Sequence, residues 1–304
     1  MLHSLKKAQL LSVVFFLALL TGVVSGCTKK DAASQDKIKI TATTDFYGEV
    51  ARAVAGKKGT VTSVINKPNV DPHDYEPTPQ VSKTVAGSQI VIANGIGYDT
   101  WMNKLVKNDD SNAKYIRVGE DLMGKKSGDN PHLWYDPQTM PKLAQKIAQE
   151  LGKKQPKNKA YFKKNAQKYI KSLHPINKQL TQLKKTAATA KNKEVYVSEP
   201  VFDYAIKSMG FKVGNQAFEN AIEKGTDPSP RTLSTMQKNI RQKKIAFFVY
   251  NSQVSDKTVT NLVKLAKENQ VPVLKVTETL PAHKNYRQWM TGQYANLLKI
   301  LDNQ

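Results

Sequence analysis

The sequence predicts an α/β protein of two lobes, each a parallel sheet flanked by helices, joined by one long linker helix. Three observations lead there. Short β-branched runs alternate with helical patterns over residues 37–118. Strands separated by helices need crossover connections, and these produce parallel sheets with right-handed turns of chain. The strand signal then falls away over residues 139–187, and the alternation returns from residue 194 to the C-terminal end.

The N-terminal lobe is assigned to residues 37–138. Strands are predicted at 37–44, 60–65, 90–93 and 115–118, with helices at 46–55, 79–86 and 100–107. The linker region, 139–188, is read from one apolar face. Phe162, Ala166, Tyr169, Leu173, Ile176, Leu180 and Leu183 recur at steps of four and three, the spacing of one helical stripe. A helix of that length would extend roughly 33 Å at 1.5 Å per residue. Pro175 lies inside the run. It lacks an N–H and its ring meets the carbonyl of Lys171. Because the apolar phase continues through it, a kink is expected rather than a break. The C-terminal lobe is assigned to 189–304. Strands are predicted at 194–198, 212–214, 245–250 and 271–277, and helices at 201–209, 229–241, 256–268 and 286–301.

Residues 1–26 read as a signal peptide. Lys6 and Lys7 precede a mostly apolar stretch from Leu10 to Leu20, and small residues lead into Val24-Ser25-Gly26-Cys27. The apolar run is too short and too weakly flanked for a membrane span. Cys27 is the only cysteine, so no intramolecular disulfide can form. A lone cysteine directly after such a signal resembles the bacterial lipoprotein box, which implies that Cys27 is lipid-modified and becomes the first mature residue. Residues 27–36 are small and polar, and read as a tether. The expected location is extracytoplasmic, held by lipid to the outer face of the cell membrane of a Gram-positive bacterium. The net charge of +22 favours anionic surroundings. For a tethered, secreted chain those are lipid headgroups and cell-wall polymers. The lysines are scattered without a nucleic-acid motif, and most read as a solvated surface.

Four potential metal donors each follow a predicted strand, the position at which α/β proteins hold ligands. They are His73 in Asp71-Pro72-His73-Asp74-Tyr75-Glu76-Pro77, His132 in Asn130-Pro131-His132-Leu133-Trp134, Glu199 in Val197-Ser198-Glu199-Pro200, and Glu278 in Val276-Thr277-Glu278-Thr279. Two imidazoles and two carboxylates suffice to close a site around one divalent transition metal. Taken singly, each has a plainer reading. Glu199 resembles a helix cap, Glu278 a surface carboxylate, and the two histidines ordinary loop residues. His174, beside Pro175, reads as a capping or packing residue, and His283 as a solvated one. Gly119-Glu120-Asp121-Leu122-Met123-Gly124-Lys125 resembles the start of a phosphate loop. Lys126 stands where Ser or Thr is required, and Gly128-Asp129-Asn130-Pro131 follows in place of a helix, so ATP binding is set aside. No His-Glu-x-x-His segment and no Gly-x-Ser-x-Gly elbow is present.

Taken together, the lipobox at Cys27, Thr43-Thr44-Asp45-Phe46-Tyr47, the two histidine segments, Ile92-Ala93-Asn94-Gly95 and Tyr135-Asp136-Pro137 resemble the metal-binding branch of ABC-transporter solute-binding lipoproteins. The resemblance covers nearly the whole chain. It implies two α/β lobes on a rigid helix, with the metal in the cleft between them. The family's first two ligands fall on His73 and His132, and its third on Glu199, where zinc-type members carry histidine and manganese-type members glutamate. The fourth is usually aspartate, for which Glu278 is the nearest match. The resemblance also implies a cargo of one Mn2+ or Zn2+, partnership with an ABC permease and its ATPase, a monomer, and no catalysis. A carboxylate in place of an imidazole makes the site harder, which leans towards manganese with zinc close behind. Trp134, Tyr47 and Phe202 are expected to pack, with shielding of the metal as a second role. A surface adhesin, a metallohydrolase using the same ligands and an organic-solute binder are the alternative readings.

Overall fold

The computed structural model describes residues 37–68, 70–107, 112–253 and 255–302. The expected signal peptide, Cys27 and the tether lie outside them. The first sheet is built from β1 (Ile38–Thr44), α1 (Asp45–Ala55), β2 (Gly59–Ile65), α2 (Pro79–Ala86), β3 (Ile90–Ala93), α3 (Thr100–Lys107) and β4 (Lys114–Arg117). Its strand order is β2-β1-β3-β4, parallel throughout, with Ile40 opposite Val61 on one side and Ile90 on the other. All of β1 except Lys39 is buried, as expected of a central parallel strand covered on both faces. On α1 the buried side chains Phe46, Tyr47, Val50, Ala51 and Val54 fall at helical spacing and form the face laid on the sheet. At α2, Thr78 caps the first turn by accepting from the Val81 N–H at 3.4 Å, and Pro79 occupies a position whose N–H would be unused.

The linker region differs from expectation. It contains α4 (Thr139–Lys154), α5 (Lys159–Ser172) and α6 (His174–Thr189). The predicted single helix is two, with Leu173 between them. Pro175 explains the break: it cannot donate to Lys171, but in the first turn of a new helix that donor is not needed. The apolar stripe nevertheless survives. Phe162, Ala166, Tyr169, Leu173, Ile176, Leu180 and Leu183 are all buried in one core. The α5 segment packs on α4 and α1, and the α6 segment on helices of the second sheet. His174 opens α6 with an exposed ring, so it does not pack as expected.

The second sheet repeats the plan. Its elements are β5 (Glu194–Val197), α7 (Asp203–Met209), β6 (Lys212–Val213), α8 (Gln216–Glu223), α9 (Pro230–Arg241), β7 (Phe248–Asn251), α10 (Lys257–Glu268), β8 (Val273–Val276) and α11 (Tyr286–Asp302). The order is β6-β5-β7-β8, again parallel. The predicted strand at 245–250 begins three residues later, and helix α8 was not predicted at all. Between β5 and α7 the chain makes a 3-10 turn, Pro200–Phe202, in place of a longer α-helix.

One hydrophobic core runs through both sheets. Its aromatic spine links Phe46 to Trp134 at 4.9 Å and to Trp289 at 5.9 Å between ring centroids. The spine continues from Trp289 to Tyr135 at 5.7 Å, and from Tyr135 to Phe202 at 5.0 Å. The last helix therefore belongs to both halves. Tyr286 donates its backbone N–H to Glu49 Oε2 at 2.8 Å and its hydroxyl to the Trp134 carbonyl at 2.7 Å. Among the described residues, no helix is long and apolar enough to cross a membrane.

Candidate metal centre

The site lies where loops leaving both sheets meet. His132 is held by Asn130 at both its backbone and its ring. Asn130 Oδ1 accepts from its backbone N–H at 2.9 Å and lies 2.8 Å from its Nδ1. That contact selects the tautomer protonated at Nδ1 and leaves Nε2 as a bare acceptor, the arrangement of a metal-ligating imidazole. Asn130 is itself fixed across the cleft: its Nδ2 donates to the Pro200 carbonyl at 2.7 Å, and Tyr204 donates to its carbonyl at 2.9 Å. Behind the loop, Asn94 donates to the Pro131 carbonyl at 3.0 Å and accepts from the Tyr47 hydroxyl at 2.6 Å. The turn that carries Asn94 needs glycine next. Gly95 has φ of 79°, and a Cβ there would collide with the Glu120 carboxylate.

His73 sits in an Asx turn, its backbone N–H donating to Asp71 Oδ1 at 2.8 Å. Its ring stands edge-on to Tyr98 at 4.7 Å, and Tyr98 also faces Trp134 at 5.1 Å. Glu278 follows β8 and is anchored through its own backbone, donating to Gln253 Oε1 at 2.7 Å. The preceding Thr277 is held by Trp289 Nε1 at its hydroxyl and by Tyr135 at its carbonyl, at 2.7 and 2.6 Å. The strap made by Gln253 also reaches the His73 loop, because Gln253 Nε2 donates to the Pro68 carbonyl at 2.8 Å.

The structure brings His73, His132 and Glu278 together, with one donor atom from each within 4.8 Å of the others. Glu278 Oε1 is 3.7 Å from His132 Nε2 and 3.9 Å from His73 Nε2. These separations exceed hydrogen-bond length. They approach the roughly 3.4 Å between donors set about 2.1 Å from a tetrahedral ion. His132 Nε2 and Glu278 Oε1 are buried and, among the described residues, meet no hydrogen-bond partner. Such atoms are costly unless a further ligand engages them.

Glu199 stands outside that close group. Its side chain does not cap the turn that follows, as the plain reading of the sequence had it. One oxygen instead accepts from Asn251 Nδ2 at 2.8 Å. Glu223, on the unpredicted helix α8, lies where no candidate was expected: its Oε1 is 3.7 Å from His73 Nε2 and 4.0 Å from His132 Nε2. The only signal in the sequence was the pair Glu219 and Glu223 at i,i+4, beside the apolar pair Phe218 and Ile222. His283 is exposed and takes no part in the group.

The electrostatics are those of a site that would favour a cation. Burial pushes the Glu199 carboxyl up to about 7, against the pull of the Asn251 hydrogen bond, and Glu278 and Glu223 add to the rise. Burial likewise raises Asp203 and Glu219, which stand behind the site. At Glu278 burial is outweighed by His132 and His73, and its pKa falls. At His132 burial favours the neutral ring, but Glu278, Glu223 and Glu199 outweigh it and the pKa rises. Two imidazole nitrogens and several carboxylates, all short of positive charge, suit a divalent transition ion.

A profile described as "ZnuA: Zinc-uptake complex component A periplasmic" matches residues 40–300. A manganese ABC transporter substrate-binding lipoprotein, PsaA of Streptococcus mitis, is 30% identical over 273 residues, covering 86% of each chain. The metal ABC transporter substrate-binding lipoprotein FimA of Streptococcus parasanguinis is 27% identical, again over 86% of each. Among solved structures, the Mn-bound periplasmic metal binding protein of Candidatus Liberibacter asiaticus superposes with a TM-score of 0.70 at 18% identity. It matches 87% of this chain and the whole of that one. FpvC of P. aeruginosa in complex with Ni2+ gives a TM-score of 0.71 at 19% identity, covering 88% and 98%. These structures support the fold.

Proposed function

Because the chain belongs to the ZnuA family of zinc-uptake components, we propose that it captures one Mn2+ or Zn2+ and delivers it to a membrane permease. The ATPase that drives import lies on separate chains. Residues 37–138 supply His73 and His132, and residues 189–304 supply Glu199 and Glu278. The observation that carries this reading is the buried His132 Nε2 facing the buried Glu278 Oε1 at 3.7 Å, with neither hydrogen-bonded among the described residues. A divalent ion between them would satisfy both and relieve the repulsion among the carboxylates. The carboxylate-rich donor set favours Mn2+ relative to a site with three imidazoles, although Zn2+ remains the stronger binder in the usual divalent order. The role needs no catalysis. The chain works as a monomer, anchored through lipid on Cys27 to the outer face of the cell membrane.

The test is a competitive titration of the metal-stripped soluble chain starting at Thr28, with Mn2+ and Zn2+, beside His73→Ala. Tight one-to-one binding that the substitution abolishes is expected, with zinc released slowly and manganese exchanged readily. Binding that ignores His73, or no binding, would reject the proposal.

A further inference from the structure

We infer that Glu223 is a metal-ligating carboxylate of the site and that it tilts the site towards Mn2+. The inference rests on the metal-capture reading and adds a donor to it. Glu223 Oε1 approaches His73 Nε2 and His132 Nε2 at 3.7 and 4.0 Å, as closely as Glu278 Oε1 does at 3.9 and 3.7 Å. By distance to the imidazole pair, the two carboxylates are equivalent. Glu199 is differently placed, because one of its oxygens is already committed to Asn251.

The setting of Glu223 has no ordinary structural explanation. It is the last residue of α8, where unpaired carbonyls and the negative end of the helix dipole disfavour an anion. The chain carries 47 Lys and Arg against 25 Asp and Glu. Yet among the described residues no lysine or arginine forms an ion pair with Glu223, which instead faces the two imidazoles and, at longer range, Glu199, Asp203 and Glu219. Its side chain is 20% exposed, between 0% for His132 and 35% for His73 and close to the 15% of Glu278, which places it at the level of the other donors. A carboxylate held against two imidazoles, away from the available cations, is positioned for an incoming ion.

With Glu223 the cleft offers two nitrogens and three carboxylates. That exceeds the four donors zinc adopts in closed protein sites and enriches the oxygen ligation that suits Mn2+. Glu223 therefore acts on selectivity more than on the existence of the site.

The experiment compares the full-length chain in detergent with Glu223→Gln, Glu223→Ala and a distant control, Glu268→Gln. Each is titrated with Mn2+ and Zn2+ in competition with a chelator, and Mn-edge X-ray absorption reads the first coordination shell. Glu223→Gln is expected to weaken Mn2+ by about ten-fold or more and Zn2+ less, the scale at which metal-site substitutions act. In Glu223→Ala, which removes the donor outright, the first shell of the bound Mn2+ should change while the circular dichroism stays unchanged. If Glu223→Ala binds both ions as the parent does, with the same manganese shell, Glu223 is not a ligand although capture stands. If the parent itself binds neither ion, both readings fall.

Discussion

Each side chain at the donor cluster is set by a neighbour that never needs to touch an ion. Asn130 is the sharpest case. It fixes the His132 tautomer, is pinned to the Pro200 carbonyl and receives the Tyr204 hydroxyl. Asn130→Ala should leave the fold intact and weaken metal binding by about 10–100-fold, the range for partners that orient a ligating histidine. Calorimetric titration beside circular dichroism checks this, and unchanged affinity would mean that His132 is positioned by burial alone. At this scale the sequence was informative in part. The prolines around His73 and His132 marked both loops as stiff and chemically unusual. Glu223 was illegible because a glutamate after a short amphipathic stretch looks like any solvated helix end. Only the packing of α8 against the cleft distinguishes it. What holds Glu199 was illegible for a similar reason, since its partner Asn251 lies 52 residues away.

Elements were easier to read than side chains. Strands β1, β2 and β3 and helices α2, α3 and α9 lie within a residue or so of expectation, because β-branched runs and cap residues are local signals. The linker was misread at one point. The periodicity that predicted a continuous helix reports which face is buried, and that face is indeed continuous. It does not report whether each backbone N–H keeps its partner. The break at Leu173 costs little, because Pro175 stands where a new helix has no use for the missing donor. Pro175→Ala is therefore expected to change stability by less than about 1 kcal/mol, whereas proline in a helix interior costs about 3 kcal/mol. Urea denaturation measures the difference. A gain of several kcal/mol on substitution would show that the junction is strained.

The molecule as a whole should respond to pH in opposite senses with and without metal. Glu199, Asp203 and Glu219 all hold their protons to higher pH in the fold than in the unfolded chain. Each thus contributes stability that is complete below its unfolded pKa and is lost as pH rises through its folded pKa. His132, also raised, has the same sign, and Glu278, lowered, opposes them. The metal-free protein is expected to melt at a lower temperature at pH 8 than at pH 5. A net change of about 2 kcal/mol would shift the midpoint on the order of 5 °C in a chain of this size. Adding Mn2+ should reverse the trend, since the ion replaces protons on His132 and Glu199 and its charge eases the burial of Asp203 and Glu219 behind them. Scanning calorimetry at the two pH values, with chelator and with Mn2+, decides it. A metal-free midpoint that climbs with pH would contradict the assignment of these carboxylates.

The hydrogen bond between Glu49 and Tyr286 joins residues 237 positions apart, and Trp289 closes on Phe46 beside it. A chain that emerges in order, N-terminus first, cannot complete its first sheet's packing until its final helix arrives. Contacts of such long range are slow to form and leave apolar surface uncovered meanwhile. Maturation is then all-or-nothing with respect to length. A product truncated before Tyr286 would retain every donor of the metal site yet lack the helix that seals them in, and would be a substrate for proteases and holding chaperones rather than a carrier.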